Sequence, residues 1–587
     1  MRALAAIGLS LAATSCSGAA SQAGRVFTAN WQNDGGKGIA AVHTAVGSAP
    51  LAPGPGLAVG VTKSGLSAAL LDGKGSWKYA GKVDALPTIS GDVVVLTTGG
   101  EVVALDARTG AKLWSVSSQG RSLRGAGDDG STTVVSLGAP GGGRSLLLAV
   151  VRDGKVTLKL EPEPEIGTPA IQGGIAFVPW SNQYVSAVDV AAGSEAGRLL
   201  LREQVSHAVN VSGKLYFGEL SLIAFDERIG QATAGGATRV TLPMRELPGK
   251  PAWFTDGATV QPKSGTARER IRLYARPDGA AIGGGRFAAT YFRVVMGLGA
   301  TDATLNWVVT ADSDVLGGAA AKGGFAFCTA SGQVLLRDET GGDAGSVSLG
   351  GEVSGCVVQA GSFALSTGKP PLPLAQQIAR ALEARSADMV VAQRFLLREL
   401  GALQDAFVTK VLIDLAENPR TSPLLLEDGR QLLAARRSGA EHMLEALSKH
   451  YDFLTDTVRP PPVGPLADAL AAMNEKRGAT LLAKHLNDPA NSADDIQRAA
   501  RALDKLADSS EADELKTFFA LYRATADQKE LVSAVISVAR AIVRVGGDEG
   551  KRIVRDAARD PLTHPDIQAG LAPLVVPEPA DKAAQQK

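Results

Sequence analysis

Apolar residues follow two different periods along the chain. Before about residue 365, short β-branched and apolar runs such as 93–96 and 102–105 alternate with glycine-rich turns, which is typical of β-strands in tight hairpins. From Leu374 onwards, apolar residues such as Ile378 and Leu382 recur every three or four positions, as in amphipathic helices. The sequence therefore predicts an N-terminal part made of sheets and an all-helical C-terminal part.

The sheet-forming part contains a repeat of about 37 residues. In its clearest copy, two apolar strands are followed by Asp106 and, four residues later, by Gly110. The aspartate is expected to cap a turn, and the glycine to supply its positive φ angle. The signature recurs at Asp189 with Gly193, at Asp226 with Gly230, and in weakened form at Arg337 with Gly341, where arginine replaces the aspartate.

The spacing of these turns indicates how the strands are arranged. Successive turn positions are separated by about one, two or three repeat lengths. Together these separations give eight repeat units, with seven as the alternative. A unit of this length built from four short strands is a β-propeller blade, and blades stack radially because one sheet leaves both faces uncovered. Residues 17–368 are therefore predicted to form a seven- or eight-bladed β-propeller. Trp77, Trp114 and Trp307 occupy similar repeat positions and are expected to pack between blades.

Residues 103–114 resemble the repeat of the quinoprotein-type, or PQQ-like, propellers. This family includes quinone-dependent dehydrogenases and the non-enzymatic lipoprotein of the outer-membrane β-barrel assembly machinery, and the resemblance covers residues 50–365 in pattern. The dehydrogenases use two adjacent cysteines and acidic calcium ligands. Here Cys328 and Cys356 are 28 residues apart, and the recurring aspartates lie on separate hairpins. The resemblance implies the fold, and we expect no enzymatic activity, cofactor or metal site.

The two ends of the repeat region predict how the ring closes. Residues 355–365 supply one or two strands after the last full repeat, and residues 26–28 supply one before the first. Our hypothesis is that both segments belong to one mixed blade, which would hide the edge strands of the ring.

The first residues have the pattern of an export signal. Arg2 is followed by the apolar run 3–13 and then by Cys16, which resembles a bacterial lipoprotein signal in which Cys16 becomes the acylated first residue. Ala13 stands where such signals usually carry a large aliphatic residue. The alternative is an ordinary secretory signal cleaved near residues 21–23. Both alternatives predict export, and the first predicts a lipid anchor in the outer membrane facing the periplasm.

Two cysteines are left if Cys16 carries a lipid. Cys328 and Cys356 are either small buried strand residues or a disulfide, which an oxidising compartment permits. Neither has a histidine near it in the sequence, so no catalytic thiol is predicted.

The C-terminal part is predicted to be a helical array over residues 374–572. Only 9 of the 68 glycines fall within residues 371–587, and breaks such as 487–489 and 559–561 resemble the turns of HEAT-type helix pairs. A HEAT-like α-solenoid and a compact helical bundle are both compatible with the pattern, and solenoids usually expose a concave protein-binding face. Residues 369–373 are predicted to be a stiff proline-rich linker and 573–587 a disordered tail. Arg436 and Arg437 are expected on a helix surface.

Charge and motifs narrow the function. The 587 residues include 60 Lys+Arg and 60 Asp+Glu, whereas nucleic-acid binders normally carry a basic excess. The six histidines show no zinc-site spacing, and the sequence has no nucleophile elbow or phosphate-binding loop. The predicted function is a non-enzymatic, lipid-anchored scaffold that binds other envelope proteins and no nucleic acid. The alternatives are a quinone- or small-molecule-binding propeller, including a redox enzyme, and a sugar-binding propeller, which the 5% aromatic content disfavours.

Overall fold

The computed structural model describes two compact units, one ending at Leu372 and the other beginning at Pro373. The described residues are 26–28, 37–39, 42, 53–201, 204–211, 214–218, 222–225, 237–240, 272–274, 286–299, 304–383, 389–449 and 459–575. Cys16, Asp226 and Gly230 lie outside the described residues, so the predictions made for them stay predictions.

The described part of the N-terminal unit contains seven sheets, which we number as blades 1 to 7. In hydrogen-bonding order, the first three are blade 1, with β29 (Gly355–Gln359), β2 (Leu57–Thr62), β3 (Gly65–Leu70) and β4 (Ser76–Ala80); blade 2, with β5 (Thr88–Ser90), β6 (Val93–Thr98), β7 (Glu101–Asp106) and β8 (Lys112–Ser117); and blade 3, with β9 (Ser122–Asp128), β10 (Thr132–Gly138), β11 (Leu146–Val151) and β12 (Val156–Leu160).

The remaining four sheets follow in chain order. They are blade 4, with β13 (Ala170–Gln172), β14 (Ile175–Trp180), β15 (Tyr184–Asp189), β16 (Ser194–Leu200) and the added β1 (Lys37–Gly38); blade 5, with β17 (His207–Val211), β18 (Lys214–Gly218), β19 (Leu222–Phe225) and β20 (Ala237–Val240); blade 6, with β21 (Arg272–Tyr274), β22 (Arg286–Tyr291), β23 (Val294–Gly299) and β24 (Leu305–Thr310); and blade 7, with β25 (Val315–Ala321), β26 (Gly324–Thr329), β27 (Gln333–Asp338) and β28 (Asp343–Ser348).

The blades stand side by side around a common axis. The first strand of a blade contacts the first strand of the next at β29–β5, β5–β9, β9–β13, β13–β17, β21–β25 and β25–β29. Because neighbouring blades cover both faces of a propeller sheet, the middle strands are rich in buried apolar residues; Val93, Val94 and Val95, for example, are all fully buried. The predicted β-propeller is confirmed, with seven blades in the described part of the chain.

The count of eight units came from an error in one segment. The count of eight takes the region around residues 271–279 and the region around residues 298–307 as two separate units. In the structure Arg272 pairs with Thr290 of β22, and β22 continues through β23 to β24, so both regions belong to blade 6. The long spacing before Arg337 therefore spans two blade steps, from blade 5 to blade 7, and not three.

Blade 1 closes the ring by combining the two ends of the repeat region. β29 pairs with β2 in an antiparallel register that places Val357 opposite Val59. This confirms the closing role of residues 355–359. The hypothesis that residues 26–28 share this blade is wrong, because Val26 and Phe27 pack in an apolar cluster of blades 3 and 4 that includes Trp180.

A buried arginine explains where the N-terminal segment lies. Arg198 of β16 donates hydrogen bonds to the carbonyl oxygens of Val26 and Thr28, at 2.5 and 2.6 Å, and forms a buried ion pair with Glu195. Further along, β1 pairs in parallel with β16, with Lys37 opposite Gly197. Charge-assisted bonds to backbone carbonyls are strong when buried, so this segment is fixed to blade 4.

The C-terminal unit contains twelve α-helices in its described residues. They are α1 (Leu374–Leu382), α2 (Val390–Ala402), α3 (Ala406–Glu417), α4 (Pro423–Ala434), α5 (Ala440–Ser448), α6 (Val463–Met473), α7 (Ala479–Leu486), α8 (Ala493–Leu506), α9 (Ala512–Tyr522), α10 (Lys529–Val545), α11 (Gly547–Arg559) and α12 (Pro565–Leu571). Three short 3₁₀ helices occupy Lys476–Gly478, Ser509–Glu511 and Ala572–Leu574. None of the described helices is long and apolar enough to cross a membrane.

The helices stack in two layers. In one layer α2, α4, α6, α8, α10 and α12 contact each other in succession, and in the other layer α1, α3, α5, α7 and α9 do the same. Contacts between every second helix are typical of a solenoid, in which each helix pair meets only its neighbours. Of the two arrangements left open by the sequence, the stack favours the solenoid; that its pairs are HEAT-type repeats stays a prediction.

Arg436 has a different role from the one predicted. It is only 4% exposed and donates hydrogen bonds to the carbonyl oxygens of Leu403 and Asp405, at 2.7 and 2.9 Å, and to the hydroxyl of Thr409. The two carbonyl groups follow the end of α2, where backbone carbonyls lack helical partners. The expected surface position is therefore wrong for Arg436, whose pKa is lowered by burial, whereas Arg437 is exposed.

Candidate interaction surface at the closing joint

The repeated aspartates fix the turn between the third and fourth strands of their blades. The Asp106 carboxylate accepts hydrogen bonds from the backbone N–H groups of Arg108 and Thr109, at 3.0 and 2.8 Å. Gly110 has a φ of +72°, which glycine adopts without strain, and its N–H donates to the Asp106 carbonyl. Asp189 and Gly193 repeat this arrangement in blade 4.

Blade 7 has the same turn, but sequence reasoning assigned it to the wrong residue. Asp338, and not Arg337, accepts hydrogen bonds from Thr340 and Gly342, and Gly341 has a φ of +84°. The turn is one residue shorter than in blade 2, so a spacing of four residues before Gly341 points to Arg337 and not to Asp338. Its second carboxylate oxygen accepts a bond from the N–H of Gly368 at 2.7 Å, which ties blade 7 to the chain segment that follows the ring.

The environment of Asp338 makes the stability of the propeller depend on pH. Desolvation raises the pKa of Asp338, but the hydrogen bonds from Thr340, Gly368 and Gly342 outweigh it and hold the pKa below its ordinary value. The folded state therefore favours the carboxylate. This stabilisation is fully present above about pH 4 and is lost as the pH falls through the lower pKa of the folded state.

Replacing Asp338→Asn is expected to lower the free energy of unfolding at pH 7 by about 1–3 kcal/mol, because an amide cannot accept all of these bonds. The difference from the unchanged protein should narrow at about pH 3, because the carboxyl group of the unfolded chain is then largely protonated. Urea unfolding followed by tryptophan fluorescence measures this for the propeller, since residues 371–587 contain no tryptophan. A difference that stays the same at both pH values would contradict the prediction.

Two of the predicted tryptophans join one blade to the turn of the next. Trp77 of blade 1 donates from Nε1 to the carbonyl of Ala107 at 2.9 Å, and its ring lies against Gly110, where a Cβ atom would come within 2.7 Å. Trp307 of blade 6 bonds the carbonyl of Glu339 at 3.1 Å and lies against Gly341 in the same way. Glycine is therefore needed at this turn position for two reasons: the tryptophan ring leaves no room for a Cβ atom, and the φ angle is positive.

Trp114 packs similarly but lacks the hydrogen bond. It is 4% exposed and lies against Gly154 in blade 3, whereas its Nε1 has no partner in the described part of the protein. In blade 4 the position equivalent to Trp114 is Gly197, because Gly197 pairs with Ala187 on the neighbouring strand as Trp114 pairs with Ala104. The added strand β1 pairs with the outer strand β16 at Gly197.

Polar groups on the inner strands form links between blades. Within blade 3, the buried side chain of Asp128 accepts bonds from Thr133, Gly130 and Arg152; burial raises its pKa, and the Arg152 charge opposes this. Links between blades join Gln359 to Gly91, Ser90 to the N–H of Asp128, and Asn210 to Gln172. Among the described residues, no group of three or more His, Cys, Asp or Glu side chains is arranged to hold a metal ion.

A disulfide crosses the closing joint of the ring. Cys328 of β26 in blade 7 is bonded to Cys356 of β29 in blade 1, with Cα atoms 6.4 Å apart. Both residues are almost fully buried, with exposures of 0% and 2%. Of the two alternatives left open by the sequence, the structure has the disulfide.

Next to this disulfide, blade 1 and the segment after blade 7 enclose a groove of about 480 Å³. This volume lies within the range of ligand pockets. Its walls are the β2–β3 hairpin, β4 and residues 349–352. The lining residues are Thr62, Lys63, Ser64, Leu66, Ser67, Lys78, Tyr79, Ala80, Leu349, Gly350, Gly351 and Glu352.

The walls of the groove are fixed by hydrogen bonds. Ser67 of blade 1 donates from Oγ to the carbonyl of Leu349, and the Leu349 N–H donates to Gly332 at 2.8 Å. On the other side of the segment, the N–H of Val353 bonds the carbonyl of Ala330 at 3.0 Å. The groove is therefore a preformed feature, which exists because ring closure brings residues 62–80 next to 349–352.

Comparison with known proteins agrees with this architecture. Residues 22–234 match the sequence model of the family described as outer membrane protein assembly factor BamB, which confirms the resemblance of the repeats over that part of the chain. No curated protein matches the chain.

Three solved structures match about half of this chain. BamB from Moraxella catarrhalis is 16% identical, with 50% of this chain and 85% of that chain covered and a TM-score of 0.29. The computationally designed Ika8 protein is 12% identical, covering 54% and 97%, with a TM-score of 0.31. The dihydro-heme d1 dehydrogenase NirN in complex with DHE is 15% identical, covering 50% and 63%, with a TM-score of 0.30.

Proposed function

We propose, from the match of residues 22–234 to the family of outer membrane protein assembly factor BamB, that this protein is a non-enzymatic interaction protein of the bacterial cell envelope. A lipid on Cys16 anchors it to the outer membrane on the periplasmic side. Its propeller and its helical array bind other envelope proteins. The family match is the observation that carries this proposal.

The disulfide supports the proposed location. Disulfides persist in oxidising compartments such as the periplasm and are rare in the cytosol. Cys328 and Cys356 are buried in the core at the closing joint, where two thiols would contribute less to stability than a bond that holds two strands together.

The proposed domain organisation is a signal peptide at 1–16, a propeller at 17–368, a linker at 369–373, a helical domain at 374–572 and a tail at 573–587. Lys369 exchanges two backbone hydrogen bonds with Asp343 of blade 7, at 2.9 and 3.0 Å, so the first linker residue is fixed to the propeller. Prolines at 370, 371 and 373 favour an extended conformation for the rest.

Mass spectrometry and affinity purification test the proposal together. In cells, the full chain with a C-terminal affinity tag is expected to carry a diacylated Cys16, to fractionate with the outer membrane, and to retain envelope proteins after chemical cross-linking. The variant Cys16→Ser, which cannot be acylated, is the matched control and should leave the membrane fraction. An unmodified Cys16, or no envelope protein retained above an untagged control, would contradict the proposal.

A separate titration addresses the alternative of a redox enzyme. Quinone and calcium added to the purified protein are expected to leave the quinone absorbance spectrum unchanged. A saturable spectral shift would favour the enzyme instead.

A further inference from the structure

We propose that the groove at the closing joint, between the β2–β3 hairpin, β4 and residues 349–352, binds an acidic, extended segment of a partner protein. This inference rests on the proposed function and assigns one binding surface to it. Its basis is the juxtaposition of two unpaired ammonium groups with a rigid wall of backbone.

Two lysines give the groove its charge. Lys63 is at the tip of the β2–β3 turn, and Lys78 is on β4; both are exposed, and neither side chain forms an ion pair within the described part of the chain. Glu352 is the one acidic residue in the lining, so the lining carries a net positive charge. Ammonium groups without partners at a concave surface favour carboxylate ligands, and such charges mainly set the specificity and rate of association.

The hairpin that carries Lys63 is held in place. The Thr62 hydroxyl donates to the carbonyl of Gly65 at 3.2 Å and accepts a bond from the N–H of Ser64 at 3.3 Å. Lys78 is paired across the sheet with Ser67, whose hydroxyl bonds Leu349. Residues paired in this way share one face of a sheet, so Lys78 is on the face that meets residues 349–352.

The opposite wall offers backbone groups. A Cβ atom at Gly350 or Gly351 would meet nothing within 4 Å, so this wall is open where the two glycines lie. The backbone N–H groups of Gly351 and Glu352 have no acceptor among the described residues. Unpaired N–H groups beside ammonium groups suit the carbonyl and carboxylate oxygens of an extended acidic peptide.

A fluorescein-labelled octapeptide of alternating glutamate and serine is a direct probe, with fluorescence anisotropy of the full chain as the measurement. The double variant Lys63→Glu with Lys78→Glu is expected to bind the probe at least tenfold more weakly than the unchanged protein. The double variant Lys74→Glu with Lys82→Glu is the matched control, since both lysines are exposed near the same blade but outside the groove. It carries the same change in net charge and should bind within about twofold of the unchanged protein.

The assignment would be overturned by no binding to the unchanged protein, by equal weakening in both double variants, or by equal binding of a glutamine–serine octapeptide. Competition by free glutamate or phosphate as effective as that by the unlabelled peptide would show a small-anion site, which also overturns it. Equal melting temperatures of the three proteins confirm that each variant folds.

Cross-linking in cells separates this inference from the proposed function. If the unchanged protein retains envelope partners and the Lys63→Glu, Lys78→Glu variant retains all of them, the groove assignment fails and the proposed function stands. If the unchanged protein retains none, the proposed function fails, and the peptide titration still decides whether the groove binds acidic segments.

Discussion

Loss of the disulfide between Cys328 and Cys356 is expected to lower the free energy of unfolding of the propeller by roughly 3.5 kcal/mol, the chain-entropy value for a loop of 28 residues. The physical reason is that the unfolded chain gains conformational freedom when the loop is released. The variants Cys328→Ala, Cys356→Ala and the double variant each remove the same bond. Their losses should therefore agree within about 1 kcal/mol and should not add.

Urea unfolding followed by tryptophan fluorescence, with and without a thiol reductant, checks this prediction. Reductant present during unfolding should lower the midpoint of the unchanged protein and leave that of the alanine variants unaltered. Variants as stable as the oxidised protein, or a double variant that loses twice as much as either single one, would contradict it.

Replacing Trp307→Ala is expected to lower the free energy of unfolding by about 3–5 kcal/mol. The reason is that this side chain is fully buried, so its removal leaves a cavity between two blades. The change also leaves the carbonyl of Glu339 without its donor. Trp77→Ala should have a cost of the same order, since Trp77 makes the equivalent contact with Gly110 and Ala107.

Phenylalanine substitutions separate packing from hydrogen bonding. The variants Trp77→Phe and Trp307→Phe each lose ring volume and a hydrogen bond. The variant Trp114→Phe loses only ring volume, because the Trp114 Nε1 has no partner in the described part of the protein. The first two variants are expected to lose about 1–2 kcal/mol more than the third. Equal losses at all three positions would mean that the bonds to Ala107 and Glu339 contribute nothing measurable.

The parts of the fold predictable from sequence are those encoded within one repeat. The turn at Asp106 and Gly110, and the apolar strands beside it, depend on neighbours a few residues away, so the blades could be recognised. The helices follow from a local period in the same way. Ring closure by residues 355–359 was predictable because an incomplete repeat at the end of the ring needs a partner strand.

The errors concern contacts that are distant in sequence or turns that depart from the consensus. Residues 26–28 were misplaced because their position depends on Arg198, about 170 residues later. Arg436 is buried because it meets the carbonyls that follow α2, a contact that helical periodicity does not encode. Asp338 was missed because its turn is one residue shorter.

The candidate groove could not be derived from the sequence at all. Lys63 is an ordinary exposed turn residue, Lys78 is an ordinary exposed strand residue, and residues 349–352 belong to an ordinary loop. They come together only because β29 brings the end of blade 7 next to blade 1.

The pairing of β29 with β2 also constrains how the chain is made. Val61 pairs with Gly355, so a chain synthesised from its N-terminus exposes an open strand edge until about 300 further residues have followed. Contacts of such long sequence separation form slowly. Until the last inner strand has been added, the open edge of the first blade is therefore accessible to chaperones and proteases.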